Sequence, residues 1–279
     1  MYVREVPPAL DAIEVPGAGI SLSGFGSAGA AGDAPLLVLL HGGGVDARYF
    51  DPVVELAAAH GFAAIALNRP GYAGSEPASF ARQAEAIDDA TATLWETWGK
   101  GRRGVVVFGH SIGGAVAVHL AARSPRWPLL GISITGISSA APPFLVQVWE
   151  SLPPGQIAFT PEASGTIKLA GTTGNEAATP TTDLLEIARS WPGDLPVLAP
   201  KVTVPVQYAI GERDKLWVVD ATTADDIGGL FLGAPYVDAQ VLPGVGHAVE
   251  HAGALGRSHQ LRQLSFALRC TGPPRTLRL

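Results

Sequence analysis

Along most of this chain, short unbroken apolar runs alternate with segments in which apolar residues recur at the spacing of one face of a helix. The apolar runs cover 35–40, 62–67, 104–109, 129–135, 204–211 and 236–242. Helical spacing stands between or after them, at 47–60, 80–98, 112–123, 220–231 and 254–268. A strand that is apolar on both faces is typical of a parallel sheet, whose crossovers usually contain a helix. With an antiparallel hairpin expected over 12–26, the sequence predicts an α/β fold: a mostly parallel, roughly eight-stranded sheet with helices on both faces.

The alternation is interrupted between residues 137 and 200. This segment is rich in proline, shows no clear strand, and has helical spacing around 143–151 and 181–190. A stretch of about 60 residues is much longer than an ordinary connection between two elements. We therefore expect one α/β core, formed by 1–136 and 201–279, with 137–200 inserted into it.

Composition argues against several classes of protein. The 279 residues carry a net charge of −6, which disfavours a nucleic-acid surface. A single cysteine, Cys270, cannot form a disulfide framework or a zinc site. No stretch approaches the roughly 18 apolar residues that span a bilayer, and the N-terminus has no secretory pattern. We expect a soluble, cytoplasmic protein with no membrane span.

Ser111 stands where one of the apolar runs passes directly into a helix, in the sequence GHSIGG. A tight strand–turn–helix holds a serine in a strained conformation and presents its hydroxyl above the sheet. The neighbouring backbone then comes close, which requires small residues such as Gly109 and Gly113. In a chain with 34 glycines this short pattern is weak evidence by itself. Its position between a strand and a helix predicts that Ser111 is a nucleophile.

A serine nucleophile needs donors for the oxyanion that forms during acyl transfer. The sequence HGGG, residues 41–44, follows an apolar run directly, and glycine lets a backbone N–H approach a substrate oxygen closely. We expect the N–H groups of Gly43 and Ile112 to form the oxyanion hole. The alternative is a flexible loop in a glycine-rich chain.

The serine also needs a base and a carboxylate that orients the base. His247 follows the last apolar run within GVGH, and Asp214 follows the preceding one within GERD. His251, one helical turn beyond His247, is the main competitor for the base, and Glu212 is the alternative acid. Asp183 and Asp220 are expected to cap helices instead.

These motifs together resemble the α/β-hydrolase fold superfamily, in particular its lidded serine hydrolases. The resemblance rests on HGGG, NRPGYAGS at 68–75, GHSIGG at 109–114, GERD at 211–214 and GVGH at 244–247. It implies that 137–200 is a small helical cap (lid) between the sixth and seventh core strands. The histidine at position 110, directly before the serine, resembles the motif of the esterase, haloperoxidase-like and C–C hydrolase-like group. The pair Ala73–Gly74 departs from that group, in which one glycine is usual.

A serine nucleophile argues against dehalogenases and epoxide hydrolases, which resemble this family but use a carboxylate. The expected function is hydrolysis of a small-molecule carboxylic ester or thioester through Ser111, His247 and Asp214, with no cofactor or metal. Two alternatives stay open: a non-hydrolytic acyltransferase, lyase or cyclase on the same site, and a ligand-binding protein without turnover. The oligomeric state stays open as well.

The expected cap determines which substrates are accepted and takes no part in the chemistry, because the candidate catalytic residues lie outside it. Its aromatic residues are candidate walls of the substrate pocket, although packing within the cap explains them equally well. The candidate substrate-binding residues are Gly42, His110, Phe144, Trp149 and Trp191, with Phe159 as a further possible wall.

Overall fold

A computed structural model describes residues 11–29, 32–151, 157–159, 167–169 and 177–272. The main sheet has eight strands in the order β1-β2-β4-β3-β5-β6-β9-β10. They are β1 (Asp11–Gly17), β2 (Ile20–Ser27), β3 (Leu36–Leu40), β4 (Ala63–Leu67), β5 (Val105–His110), β6 (Leu129–Thr135), β9 (Val206–Gly211) and β10 (Val237–Leu242). The hairpin β1–β2 is antiparallel, β2 pairs antiparallel with β4, and the other neighbours are parallel. The predicted α/β fold with a mostly parallel eight-stranded sheet is confirmed.

Helices cover both faces of this sheet. They include α1 (Asp51–Ala59), α2 (Phe80–Trp98), α3 (Ile112–Ala121), α7 (Thr223–Gly228) and α8 (Gly253–Cys270). Alternate residues of β3 point to opposite faces, so Leu36 and Val38 join the core beneath α2 and α3, whereas Leu37 joins the core beneath α1 and α8. Within the described part of the chain, none of the helices combines the length and apolarity needed to cross a membrane.

The segment between β6 and β9 differs from the rest. It contains α4 (Pro143–Ser151), α5 (Thr181–Leu185), a π-helical turn (Glu186–Ser190) and α6 (Trp191–Leu198). It also contains an antiparallel pair, β7 (Ile157–Phe159) and β8 (Ile167–Leu169). The expectation that this segment lacks strands was therefore wrong, because strands of three residues are too short to give an alternating pattern. That 137–200 acts as a cap stays a prediction.

Candidate active site

Ser111 occupies the turn between β5 and α3. Its φ of 52° and ψ of −123° lie in a region that residues with a side chain rarely adopt. Its backbone N–H donates to the carbonyl of Thr135 at 2.7 Å, and its carbonyl accepts from the N–H of Gly114 at 2.8 Å. A strained conformation persists only where the surroundings fix it. Here the end of the neighbouring strand and the first turn of the helix do so.

Gly109 and Gly113 stand two residues before and two residues after the serine. A Cβ on Gly113 would lie 2.0 Å from the carbonyl oxygen of Leu40, and one on Gly109 would lie 2.5 Å from that of Gly113. Both contacts are to backbone, which cannot rotate away as a side chain can. The turn therefore excludes any larger residue at either position.

Asp214 and His247 follow the two neighbouring strands β9 and β10, whose last residues are paired. Nδ1 of His247 lies 2.8 Å from Oδ2 of Asp214, and Oδ1 of Asp214 accepts the backbone N–H of Leu216 at 2.9 Å. Both side chains are almost completely buried. Because an ionised carboxylate only accepts hydrogen bonds, Nδ1 carries a proton, and the lone pair of the neutral imidazole lies on Nε2.

The competing residues have other partners. Nε2 of His251 lies 2.8 Å from the backbone carbonyl of Tyr49, and Oε2 of Glu212 accepts the N–H of Gly244 at 2.8 Å. Of the two candidate acids and two candidate bases, the structure brings together Asp214 and His247.

The aspartates expected to cap helices differ in outcome. Oδ1 of Asp220 accepts the N–H groups of Thr222 and Thr223 at the start of α7, as a capping residue does. Asp183 does not cap a helix: it lies inside α5, and its buried carboxylate pairs with the buried guanidinium of Arg69 at 2.9 Å. The expectation for Asp183 was wrong because the spacing of the sequence carries no sign of a partner 114 residues away.

The glycine loop, residues 41–44, follows β3 and lies against the serine. A Cβ on Gly42 would come within 3.0 Å of Cβ of Ser111 and within 3.0 Å of Cδ2 of His110. Ile112 is the first residue of α3, and the first N–H groups of a helix have no acceptor within it. Both segments that carry the expected oxyanion donors, Gly43 and Ile112, therefore adjoin Ser111.

A buried network beside His247 was missed by the sequence analysis. The ring of His110 lies 4.9 Å from the ring of His247 and stacks on that of Tyr49 at 4.5 Å. The hydroxyls of Tyr49 and Thr135 each donate to the carboxylate of Glu250 at 2.7 Å. Nδ1 of His110 lies 3.1 Å from Oγ1 of Thr135. Nothing in the local sequence distinguishes Glu250 from a surface residue.

This network places a neutral imidazole next to a carboxylate. Burial lowers the pKa of His110 to about 3. Burial alone would raise the pKa of Glu250, but the hydroxyls of Thr135 and Tyr49 that donate to its carboxylate favour the charged form, and the pKa is lowered overall. At neutral pH a negative charge is thus held one imidazole ring away from His247.

The candidate substrate-binding residues of the segment between β6 and β9 lie in different surroundings. Phe144, on α4, is 62% exposed, whereas Trp191 is 1% exposed, packs in the main core and donates its indole N–H to the carbonyl of Ser138 at 2.8 Å. The surroundings of Trp191 are those of a core residue. The side chains of Trp149 and Phe159 lie outside the described residues. Substrate binding by any of these residues stays a prediction.

Comparison with solved structures finds the fold of this chain in several enzymes. A carboxyl esterase from Bacillus coagulans is similar over 94% of this chain and 99% of that chain, with 15% identity and a TM-score of 0.72. A monoacylglycerol lipase from Paleococcus ferrophilus is similar over 94% of this chain and 99% of its own chain, with 15% identity and a TM-score of 0.66. An epoxide hydrolase from Vigna radiata is similar over 95% of this chain and 100% of its own chain, with 14% identity and a TM-score of 0.68. At these identities the likeness concerns the fold.

No curated protein matches the chain in sequence. A family model does match, over residues 37–255, and its description is the alpha/beta hydrolase family. The matched region runs from β3 past His247 and so includes Ser111, Asp214 and the segment between β6 and β9. The chain therefore belongs to the alpha/beta hydrolase family.

Proposed function

We propose that this protein is a serine hydrolase that cleaves a carboxylic ester or thioester through an acyl-enzyme intermediate. The observation that carries the proposal is the hydrogen bond between Asp214 and His247 at the sheet edge where the strained Ser111 stands. A strained serine between strand and helix is typical of a nucleophile in this family. An imidazole whose Nδ1–H is held by a carboxylate is typical of its base.

In the first half of the reaction, Nε2 of His247 takes the proton of the Ser111 hydroxyl while Oγ attacks the carbonyl carbon of the substrate. Asp214 stabilises the imidazolium that forms. The carbonyl oxygen becomes an oxyanion and accepts hydrogen bonds from the N–H groups of Gly43 and Ile112, each donor contributing about 3–4 kcal/mol. The C–O or C–S bond then breaks, and the leaving alcohol or thiol takes the proton from His247.

In the second half, water attacks the acyl-serine. His247 removes a proton from the water, the same oxyanion hole holds the second tetrahedral intermediate, and Ser111 leaves with the proton from His247. The products are a carboxylic acid and the regenerated enzyme. Each proton that His247 takes is returned within the same half-reaction, so the cycle needs no cofactor.

The proposal is tested with p-nitrophenyl esters of increasing acyl length and with a fluorophosphonate probe. We expect wild-type turnover, stoichiometric labelling, and a loss of kcat of about 10⁴-fold or more in both Ser111→Ala and His247→Ala. His251→Ala is the matched control for the histidine and is expected to retain most of the activity. Mass spectrometry of the labelled peptide locates the modified residue.

Three results would contradict parts of this proposal. Retention of more than a tenth of wild-type turnover in Ser111→Ala would remove Ser111 as the nucleophile. A severe loss in His251→Ala with a mild one in His247→Ala would move the base. A burst of p-nitrophenol without turnover, followed by release of the acyl group only when an added alcohol or amine is present, would favour the acyltransferase alternative.

A further inference from the structure

Arg69 lies just after β4 and is completely buried beside the glycine loop. Its Nε donates to the carbonyl of His41 at 2.7 Å, and its Nη2 donates to the carbonyl of Gly42 at 3.1 Å. Its Nη1 donates to Oε1 of Gln83 at 2.7 Å. A guanidinium is a rigid, planar fork of donors, so two consecutive carbonyls bound to it are held in a fixed orientation.

The carbonyl of Gly42 has a second donor. Nδ1 of His41 lies 2.8 Å from it, and Nε2 of His41 accepts the backbone N–H of Arg69 at 3.1 Å. Accepting at Nε2 requires the neutral ring with its proton on Nδ1. Burial, and then the charge of Arg69, lower the pKa of His41 well below its usual value, which keeps the ring in that form.

The peptide unit whose carbonyl is held in this way also carries the N–H of Gly43. Among the described residues no peptide bond is cis, and in a trans peptide the C=O and N–H groups point to opposite sides. Fixing the carbonyl of Gly42 toward Arg69 and His41 therefore fixes the N–H of Gly43 toward the opposite side. The loop that bears this N–H packs against Ser111.

Arg69 is in turn held by the inserted segment. Oδ2 of Asp183, on α5, lies 2.9 Å from Nη2 of Arg69, and both side chains are fully buried. Oδ1 of Asp183 accepts from Nε2 of Gln83 at 2.7 Å, so Gln83 contacts both members of the ion pair. The same segment touches the loop directly, because the N–H of Ala177 donates to the carbonyl of Gly44 at 3.1 Å.

We propose that Asp183 is a positioning residue: through Arg69 it sets the orientation of the Gly42–Gly43 peptide, and with it the strength of oxyanion binding. The inference rests on the proposed function and deepens it. It gives the inserted segment a part in the chemistry, whereas the sequence led us to expect only a part in substrate selection. Loss of the carboxylate charge weakens binding of the transition state and leaves binding of the ground-state ester nearly unchanged.

The test compares wild type with Asp183→Asn, with every rate divided by the number of sites that the fluorophosphonate probe labels at completion. We expect kcat per labelled site to fall about 10- to 100-fold, less than the loss of an oxyanion donor outright, and KM to change less than about 3-fold. A trifluoromethyl ketone binds as a tetrahedral oxyanion adduct, and its Ki should rise by the same factor as kcat falls. A variant that was merely misfolded would show fewer labelled sites but an unchanged Ki.

Asp194→Asn is the matched control. Asp194 belongs to the same segment, but its side chain is 44% exposed and does not belong to the buried group formed by Asp183, Arg69 and Gln83. Gln83→Met keeps the ion pair and removes one hydrogen bond to each member. We expect Gln83→Met to lower kcat per labelled site by roughly 2- to 10-fold. This variant replaces Asp183→Asn in the test if Asp183→Asn does not fold.

Two outcomes overturn the inference, and they can be told apart. If wild type hydrolyses esters and Asp183→Asn keeps its kcat per labelled site and its Ki, the inference fails and the proposed function stands. If Asp183→Asn does not fold, the same result in Gln83→Met overturns the inference. If wild type neither hydrolyses an ester nor reacts at Ser111, the proposed function fails, and the inference falls with it.

Discussion

His247 and Asp214 meet through a 2.8 Å hydrogen bond between Nδ1 and Oδ2, with both side chains almost sealed from solvent. The contact follows from topology. β9 and β10 are neighbouring parallel strands, and their last residues, Gly211 and Leu242, are paired. Side chains that follow such strands within a few residues come to the same edge of the sheet. The carboxylate is fixed in turn by the N–H of Leu216, which sets which of its oxygens faces the ring.

This contact makes Asp214→Asn informative. An amide in place of the carboxylate can donate to Nδ1 and so favours the imidazole tautomer with its proton on Nε2, which cannot act as the base. We expect kcat for an ester to fall about 10²- to 10⁴-fold with little change in the unfolding midpoint. Glu212→Gln is the control, since Glu212 bonds instead to the N–H of Gly244. Full activity in Asp214→Asn together with loss in Glu212→Gln would move the acid to Glu212.

The turn around Ser111 predicts a steric requirement at Gly113. A methyl group there would lie 2.0 Å from the backbone oxygen of Leu40. We expect Gly113→Ala to lower the free energy of unfolding by about 1–3 kcal/mol or more, which is the usual cost of overpacking a site that cannot relax. Chemical denaturation measures the loss.

The matched control for Gly113→Ala is Gly193→Ala, in α6. A Cβ at Gly193 meets no atom within 4 Å, and alanine favours a helix over glycine by about 1 kcal/mol. A Gly113→Ala protein as stable and as readily labelled at Ser111 as the Gly193→Ala protein would show that the tight turn is not required.

The strands of the main sheet and most helices could be predicted because they depend on local patterns. Apolar runs predicted six of the eight strands of the main sheet to within two residues, and helical spacing predicted α2 and α4 at their observed bounds. The ends of α7 were placed less well, since that helix is short. The contacts that the sequence could not supply are long-range: Asp183 with Arg69, and Glu250 with Tyr49 and Thr135. A buried polar residue looks like a surface residue until its partner is known.

Trp191 and Phe144 are expected to respond differently to truncation. Trp191 is buried in the main core and bonds to the carbonyl of Ser138, so Trp191→Ala should lower the free energy of unfolding by about 3–5 kcal/mol. Phe144 is exposed, so Phe144→Ala should change stability by less than about 0.5 kcal/mol. If Phe144 forms a pocket wall, kcat/KM for long relative to short acyl esters should shift by up to about 10-fold.

Denaturation and a series of p-nitrophenyl esters measure both effects of these truncations. A chain-length shift in Trp191→Ala at unchanged stability would instead make Trp191 a pocket wall.

The burial of His259, on α8, is expected to make the free energy of unfolding depend on pH. The side chain is buried, and neither ring nitrogen has a hydrogen-bond partner among the described residues. Burial lowers its pKa, so the unfolded chain binds a proton below pH about 6.5 that the folded chain does not bind until a lower pH. In that window stability falls as pH falls, by up to about 1.4 kcal/mol per pH unit for this one group. Replacement by leucine should remove this contribution.

His259→Leu is therefore expected to be at least as stable as wild type at pH 8, because it no longer buries two unpaired nitrogens. The free energy of unfolding of His259→Leu should exceed that of wild type by a growing amount as the pH falls from about 6.5 toward 5, because unfolding of the variant takes up as much as one proton fewer. Urea unfolding of both proteins at half-unit steps of pH gives the two slopes. The comparison at pH 8, where the histidine is neutral in both states, separates the packing effect from the proton linkage. Parallel curves over the whole range would mean that His259 binds its proton equally in the folded and the unfolded chain.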